Sequence, residues 1–149
     1  MTLIVDSREQ ASLKDEFKEG VFDEILVDGL PLGDYALKLD DKEVPLWFER
    51  KGLGDLFSTL TSGHDRFKRE LEKAKVNNLT LVLLIEGSMK DVFEGYKYSN
   101  ASGQQILRTI FTLWLKYDLF PVFCEDRRTA ARFIEETYQA VARGWGKDN

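Results

Sequence analysis

The chain has 149 residues, 43% of them hydrophobic, and a net charge of -5. That length suffices for one packed core and is short for two ordinary domains, while a single cysteine, Cys124, excludes an internal disulfide or a zinc finger. The acidic balance means that a nucleic-acid role has to rest on where the Lys and Arg residues lie, because they must displace counterions from phosphates.

The start Met1 to Val5 carries no positive n-region and meets Asp6 at once, and no run approaches the roughly 20 apolar residues of a membrane span. A cytoplasmic or nucleoid-associated chain without membrane contact is expected, nuclear if the source is eukaryotic. Leu3-Ile4-Val5 predicts a short buried strand, and Ser7 with Gln10 matches a capping box opening a helix to about Gly20. Strands follow at Glu24 to Val27, Tyr35 to Leu39 and Val44 to Lys51, separated by Asp28-Gly29 and Asp40-Asp41-Lys42, in the pattern of an antiparallel meander. From Asp55 the period turns helical through Leu56, Phe57 and Leu60, breaks near Ser62-Gly63, and resumes from Asp65 to about Val76. Thr80 to Ile85 is a continuous apolar strand of the kind covered by helices on both faces. A polar loop with Gly87 and Gly95 leads to a helix from Gln104 to Leu115, a buried strand from Leu119 to Cys124 and a last helix from Thr129 to Ala142. Gly146 to Asn149 reads as a frayed end. The whole predicts an α/β fold, a mixed central sheet flanked by helices on both faces, as one domain over residues 1–149.

Several residues carry bland readings. Cys124, in the apolar run after Phe120, reads as a small buried thiol. His64 falls in an interhelical loop and reads as a surface residue. Arg66, Lys68, Arg69, Lys73 and Lys75 interleave with Asp65, Glu70 and Glu72, the pattern of a solvated, salt-bridged helix face. Ile106, Leu107, Ile110, Phe111, Leu113, Trp114 and Leu115 make their helix apolar around more of its circumference than one core contact requires, which fits either an interface or a fully buried helix.

The segment with chemical content is Leu46-Trp47-Phe48-Glu49-Arg50-Lys51. Side chains alternate along a strand, so Glu49 and Lys51 share one face while Leu46, Phe48 and Arg50 take the other. Alone, Glu-x-Lys is also the pattern of a surface ion pair. Gly33-Asp34-Tyr35, at the start of the neighbouring strand, lets Asp34 come beside Glu49, although Pro31 to Asp34 equally fits a plain tight turn. Two carboxylates and one lysine then converge. Carboxylate oxygens suit Mg²⁺, and a nearby lysine can orient a water and offset charge developing on phosphorus, an arrangement that suits phosphodiester hydrolysis.

Gly33-Asp34-Tyr35 followed by Glu49-Arg50-Lys51 and Asp55 resembles the GDY...ERKxxxD signature of the XPF-type structure-specific endonucleases, shared by the Mus-type junction nucleases. Val5-Asp6-Ser7-Arg8-Glu9 resembles the opening VDxRE of that family, Leu83-Leu84-Ile85-Glu86 its LLIE strand, and Arg66 falls where it has an arginine; the likeness runs from Leu3 to about Val141. The resemblance implies a restriction-endonuclease-like core in which Asp34, Glu49 and the Arg50 carbonyl hold Mg²⁺ or Mn²⁺ and Lys51 serves the hydrolytic water. It also implies that Asp6 and Glu9 line the cleft, with a second metal site through water, and that Arg8, Arg50, Asp55 and Arg66 contact substrate or support the site. Glu9 reads as well as a first-turn acid, Asp55 as an N-cap and Arg66 as a surface ion-pair partner. Glu70 departs from the glutamine of many relatives. The chain is expected to lack the helix-hairpin-helix and helicase domains with which relatives grip DNA, which points to a homodimer or a separate DNA-targeting protein. The expected activity is metal-dependent cleavage of branched or junction DNA in repair or recombination. The alternative is a non-catalytic DNA-binding or dimerisation module, although inactive partners in the family lose the acids or the lysine retained here.

Overall fold

The computed structural model describes residues 1–144, so the expected frayed end from Gly146 lies outside the described residues. Seven strands form one mixed sheet: β1 (Thr2–Asp6), β2 (Glu24–Asp28), β3 (Tyr35–Leu39), β4 (Lys42–Glu43), β5 (Leu46–Gly52), β6 (Thr80–Glu86) and β7 (Phe120–Cys124). Their order is β2-β1-β3-β5-β6-β7, with β4 paired to β3. The β5-β6 and β6-β7 pairs are parallel, β1-β3 and β3-β5 antiparallel. Each parallel step needs a crossover, supplied by α1 (Leu53–Thr59) with α2 (His64–Val76), and then by α3 (Met89–Glu94) with α4 (Gly103–Tyr117). A last helix, α5 (Arg127–Gly144), returns across the sheet. Among the described residues no helix is long and apolar enough to cross a membrane.

Alternation along the strands feeds two cores. Ile4, Ala36, Trp47, Leu81, Leu83 and Ile85 point into the core beneath α1, α2, α3 and α4. Leu3, Val5, Tyr35, Phe48, Val82 and Leu84 point into the core under α5. Because β6 is buried on both faces, its run is apolar without interruption. Phe48 is fully buried, with the rings of Tyr138 and Phe133 edge-on at 5.2 and 6.1 Å. Phe48→Ala is expected to destabilise the fold by about 3–5 kcal/mol, the usual cost of removing a buried ring, read as a lower urea midpoint. Pro121 is tolerated in β7 because that strand is the sheet edge, where a missing N–H breaks no ladder. Gly103 opens α4 because a Cβ there would run into the carbonyls of Val92 and Phe93.

Four expectations are corrected. The helix from Ser7 to Gly20 is absent: this stretch is turns with one 3-10 turn at Leu13–Asp15, and Ala11 has a φ of +46° that ends any helix. Its backbone groups find tertiary partners instead. The Leu13 N–H donates to the Tyr35 hydroxyl at 2.9 Å, and Arg127 donates to the Ala11 and Ser12 carbonyls at 3.2 and 3.1 Å. The meander is also revised, since β2 pairs in parallel with β1 at the other sheet edge, the stretch 7–23 being long enough for a crossover. The loop around Gly87 contains α3, capped by a reciprocal Ser88 and Asp91 pair; burying only Val92, it shows no periodicity in sequence. Finally, His64 is the first residue of α2 rather than part of a loop.

The apolar helix is buried along one face only. Ile106, Leu107, Ile110 and Leu113 are buried in α4, whereas Trp114 is 43% and Leu115 79% exposed. Cys124 is buried as expected, and burial pushes its thiol up to about 11, far from reactivity at neutral pH.

Candidate functional site

The sheet itself gathers the candidate residues. Strands β1, β5, β6 and β7 run the same way and end at one edge with Asp6, Gly52, Glu86 and Cys124, and antiparallel β3 begins at that edge just after Asp34. Open α/β sheets place their ligands at this end of the parallel strands. Alternation then sorts the faces. Asp6 follows Ile4, Asp34 precedes Ala36, and Glu49 and Lys51 follow Trp47, so all four charged groups sit on the side covered by α1 and α2. Trp47 packs in that core rather than bordering the cleft. The Asp34 N–H donates to the Phe48 carbonyl at 2.7 Å and the Asp6 N–H to the Asp34 carbonyl at 2.8 Å, locking the three strands together. Gly33 makes this approach possible: its φ is +73°, and a Cβ would lie 3.3 Å from the Phe48 carbonyl oxygen.

Glu49 is 6% exposed and pairs with the Lys51 ammonium at 3.2 Å. The Asp34 carboxylate accepts the Arg50 N–H at 2.7 Å. Burial and then the Glu49 charge hold Asp34 far above the usual carboxylate range. Burial raises Glu49 as well, with Lys51 opposing. For Lys51, burial favours the neutral amine, but Glu49, Asp34 and Asp55 outweigh it and keep the ammonium charged. The site sets two carboxyl groups, Glu49 buried and Asp34 half-buried, against one lysine, so it carries net negative charge once both are deprotonated. Oxygen donors of this kind fit a hard divalent cation. Among the described residues no three His, Cys, Asp or Glu side chains form a ligand cluster, so a cation here would take two side-chain carboxylates and complete its shell with backbone oxygen and water, the habit of Mg²⁺.

The remaining predicted residues divide between the two faces. The Asp6 carboxylate, 4% exposed, accepts the Leu30 N–H at 3.0 Å and the Arg8 guanidinium at 3.1 Å, and Arg8 also donates to the Leu30 carbonyl at 2.6 Å. Asp6 therefore braces Arg8 and the turn before Asp34. On the opposite face Arg50 lies between Glu86, in a short ion pair, and Glu9 at 3.4 Å, and donates to the Ala11 carbonyl at 3.1 Å. Burial raises Glu9 despite the opposing guanidinium of Arg50. Asp55 stands in the first turn of α1, not at its N-cap, which is Gly52, and its charge acts on Lys51.

Two concavities meet at Lys51. One, of about 630 Å³, is lined by Glu49, Lys51, Ser58, Ser62, Arg66 and Glu70. The other, of about 520 Å³, is lined by Arg8, Glu9, Asp34, Lys51, Asp55 and Glu86. Among the described residues Arg66, Lys68, Arg69 and Lys73 make no ion pair, against the expectation of a salt-bridged face. The two concavities together are lined by the acids Glu9, Asp34, Glu49, Asp55, Asp65, Glu70 and Glu86 and by Arg8, Arg50, Lys51, Arg66 and Arg69, so both signs of charge meet in the cleft. From the sequence Glu86 is named only as the end of the Leu83-Leu84-Ile85-Glu86 motif, and the serines Ser58 and Ser62 are given no role. Only Glu86 left a trace there, as the charge closing an apolar strand.

No curated protein is significantly similar in sequence. Among solved structures the chain resembles XPF from Aeropyrum pernix, with a TM-score of 0.76 and 21% identity over 96% of this chain and 66% of that one. It also resembles XPF from Aeropyrum pernix in complex with DNA, with a TM-score of 0.74 and 19% identity over 95% of this chain and 65% of that one. The chain thus spans about two thirds of the length of those chains. The likeness establishes the fold, a restriction-endonuclease-like α/β core. A protein-family model described as the ERCC4 domain matches residues 5–137, and the chain accordingly belongs to the ERCC4-domain family as an XPF-type nuclease domain.

Proposed function

We propose that the chain is a metal-dependent DNA endonuclease that hydrolyses phosphodiester bonds beside a branch or single-strand junction. The observation that supports this most is the gathering of Asp34 and Glu49 around Lys51 at the carboxyl end of the sheet, Glu49 paired with the lysine at 3.2 Å in one open concavity and Asp34 lining a second with it. Asp34, Glu49 and the Arg50 carbonyl would hold Mg²⁺ or Mn²⁺. When bound, the cation supplies Lewis-acid polarisation of a phosphate oxygen and acidification of water. Lys51, shared by both concavities, orients the attacking water and offsets the charge that builds on the phosphoryl oxygens. Glu49 first, with Asp34 and then Asp55, keeps Lys51 protonated, which for Asp55 is a positioning role. Asp6 positions Arg8, whose side chain is 71% exposed and within reach of a phosphate. Arg50 positions Glu9 and Glu86 behind the site, and Arg66 and Arg69 line the cleft for the DNA backbone.

The intact acid and lysine set favours catalysis over a purely binding module. A panel of labelled fork, flap, nicked and plain duplex DNA with Mg²⁺ or Mn²⁺ tests branch preference. Faster cutting within the duplex next to the branch is expected, and equal rates on plain duplex would remove junction specificity from the proposal.

A further inference from the structure

Beside the candidate active cleft lies a third concavity, of about 420 Å³, whose walls include Phe57, Ser58, Thr61, Ser62, Tyr96 and Tyr98. Ser58 and Ser62 also line the Glu49 cleft, so the two are one continuous surface. The walls differ in kind, however. The cleft is ionic, whereas no charged side chain lines the third concavity among the described residues.

Its floor and rim are aromatic. Tyr96 leans on the buried Phe57 ring at 5.9 Å and lies against α1 where Gly54 has no side chain; a Cβ at Gly54 would be 2.9 Å from the Tyr96 hydroxyl. Tyr98 stands edge-on to Tyr96 at 5.5 Å, carries the Lys97 ammonium at 4.8 Å from its ring centre, and is 76% exposed. An exposed ring that is braced from the core and flanked by a cation has no folding reason to face water.

We infer that Tyr98, backed by Tyr96 and Lys97, is a stacking platform for an unpaired base of the single strand that leaves the scissile duplex, an inference that rests on the nuclease reading for its substrate. Hydroxyl-lined walls and an aromatic face suit a base rather than a phosphate, since every base has a π-face and stacking on aromatic side chains is how single strands are held without sequence preference. A paired base cannot present that face. Lys97 takes the adjoining phosphate, and Ser58 and Ser62 carry the strand back toward Lys51. The platform thereby distinguishes a splayed strand from continuous duplex, which the ionic cleft alone does not.

The test measures binding without metal, so it is independent of cleavage. A short oligodeoxythymidine carrying a fluorescent purine analogue, and a plain duplex, are titrated with the full chain, with Tyr98→Ala and with Tyr98→Trp. Tyr98→Ala is expected to weaken the single strand by roughly tenfold, to abolish quenching of the analogue and to leave duplex binding unchanged, while Tyr98→Trp preserves both. Wild-type affinity and quenching in Tyr98→Ala, or no single-strand binding by the wild type, would overturn the inference. Tyr98-dependent quenching by a chain that cuts no DNA would sustain the platform and refute the nuclease; cleavage of a fork with no role for Tyr98 would do the reverse.

Discussion

Glu49→Gln and Lys51→Ala are each expected to lower DNA cleavage by about 10²–10⁴-fold, yet to differ in metal binding. Glu49 supplies the buried one of the two carboxylates, so its neutralisation removes a charged ligand and weakens Mn²⁺ binding along with turnover. Lys51 is an ammonium 3.2 Å from that carboxylate. Removing it leaves both oxygen donors and takes away a competing positive charge, so Lys51→Ala binds Mn²⁺ at least as tightly as the wild type while losing the group that orients water. Calorimetric titration with Mn²⁺, alongside single-turnover cleavage of a labelled fork, reads both effects. Neither change is expected to unfold the chain, because Lys51 is partly exposed and Gln keeps the shape of Glu. Wild-type cleavage by Lys51→Ala would leave the proposed mechanism without its water-handling group.

Asp34→Asn is expected to stabilise the metal-free fold while destroying its activity. Burial and the neighbouring Glu49 charge raise the carboxyl of Asp34 above its value in an unfolded chain, so the folded state retains a proton that the unfolded state has given up. Stability therefore falls as pH rises from about 4, the ordinary carboxylate value, through the raised value of Asp34. Asparagine keeps an oxygen to accept the Arg50 N–H and has no charge to desolvate. At mildly alkaline pH the variant is expected to gain about 1–3 kcal/mol over the wild type, and at pH near 4 almost nothing. Divalent metal reverses the ranking, since it binds the deprotonated wild-type pair. Cleavage by the wild type rises with pH over the same range for the same reason. Thermal melts of both proteins across pH, with and without Mg²⁺, check each sign; a metal-free wild type that becomes more stable as pH rises would contradict it. Functional sites commonly hold such a surplus of like charge at the expense of stability.

Much of this site was legible because strand alternation is local. The spacing of Glu49 and Lys51 fixed their common face, and the apolar run before Glu86 fixed a strand buried on both sides. The placement of Asp34 beside Glu49 rests on a glycine at positive φ, and Gly33 stood in the sequence to suggest it. Tertiary partners were not legible. The stretch after Asp6 has the residues of a capped helix, but Arg127 and Tyr35, distant in sequence, take its backbone groups and hold it as turns. Edge strand β2 has apolar residues, and nothing local told whether they join β3 or β1. The helix face at Arg66 reads as salt-bridged because opposite charges interleave, yet among the described residues Arg66, Lys68, Arg69 and Lys73 make no ion pair, and Arg66 and Arg69 line the cleft. Tyr98 gave no signal, since an exposed tyrosine in a loop has no periodic pattern, and its significance comes only from the concavity that it shares with Ser58 and Ser62.

The most direct test of the account is single-turnover cleavage of a labelled fork by the purified wild-type chain, with Mg²⁺, with Mn²⁺ and with chelator, and with Glu49→Gln as a matched control. Cuts beside the branch that require a divalent cation and are absent from the Glu49→Gln reaction are the predicted result. Cleavage that persists in chelator or in Glu49→Gln, or a wild type that binds the fork and the cation without cutting, would contradict it.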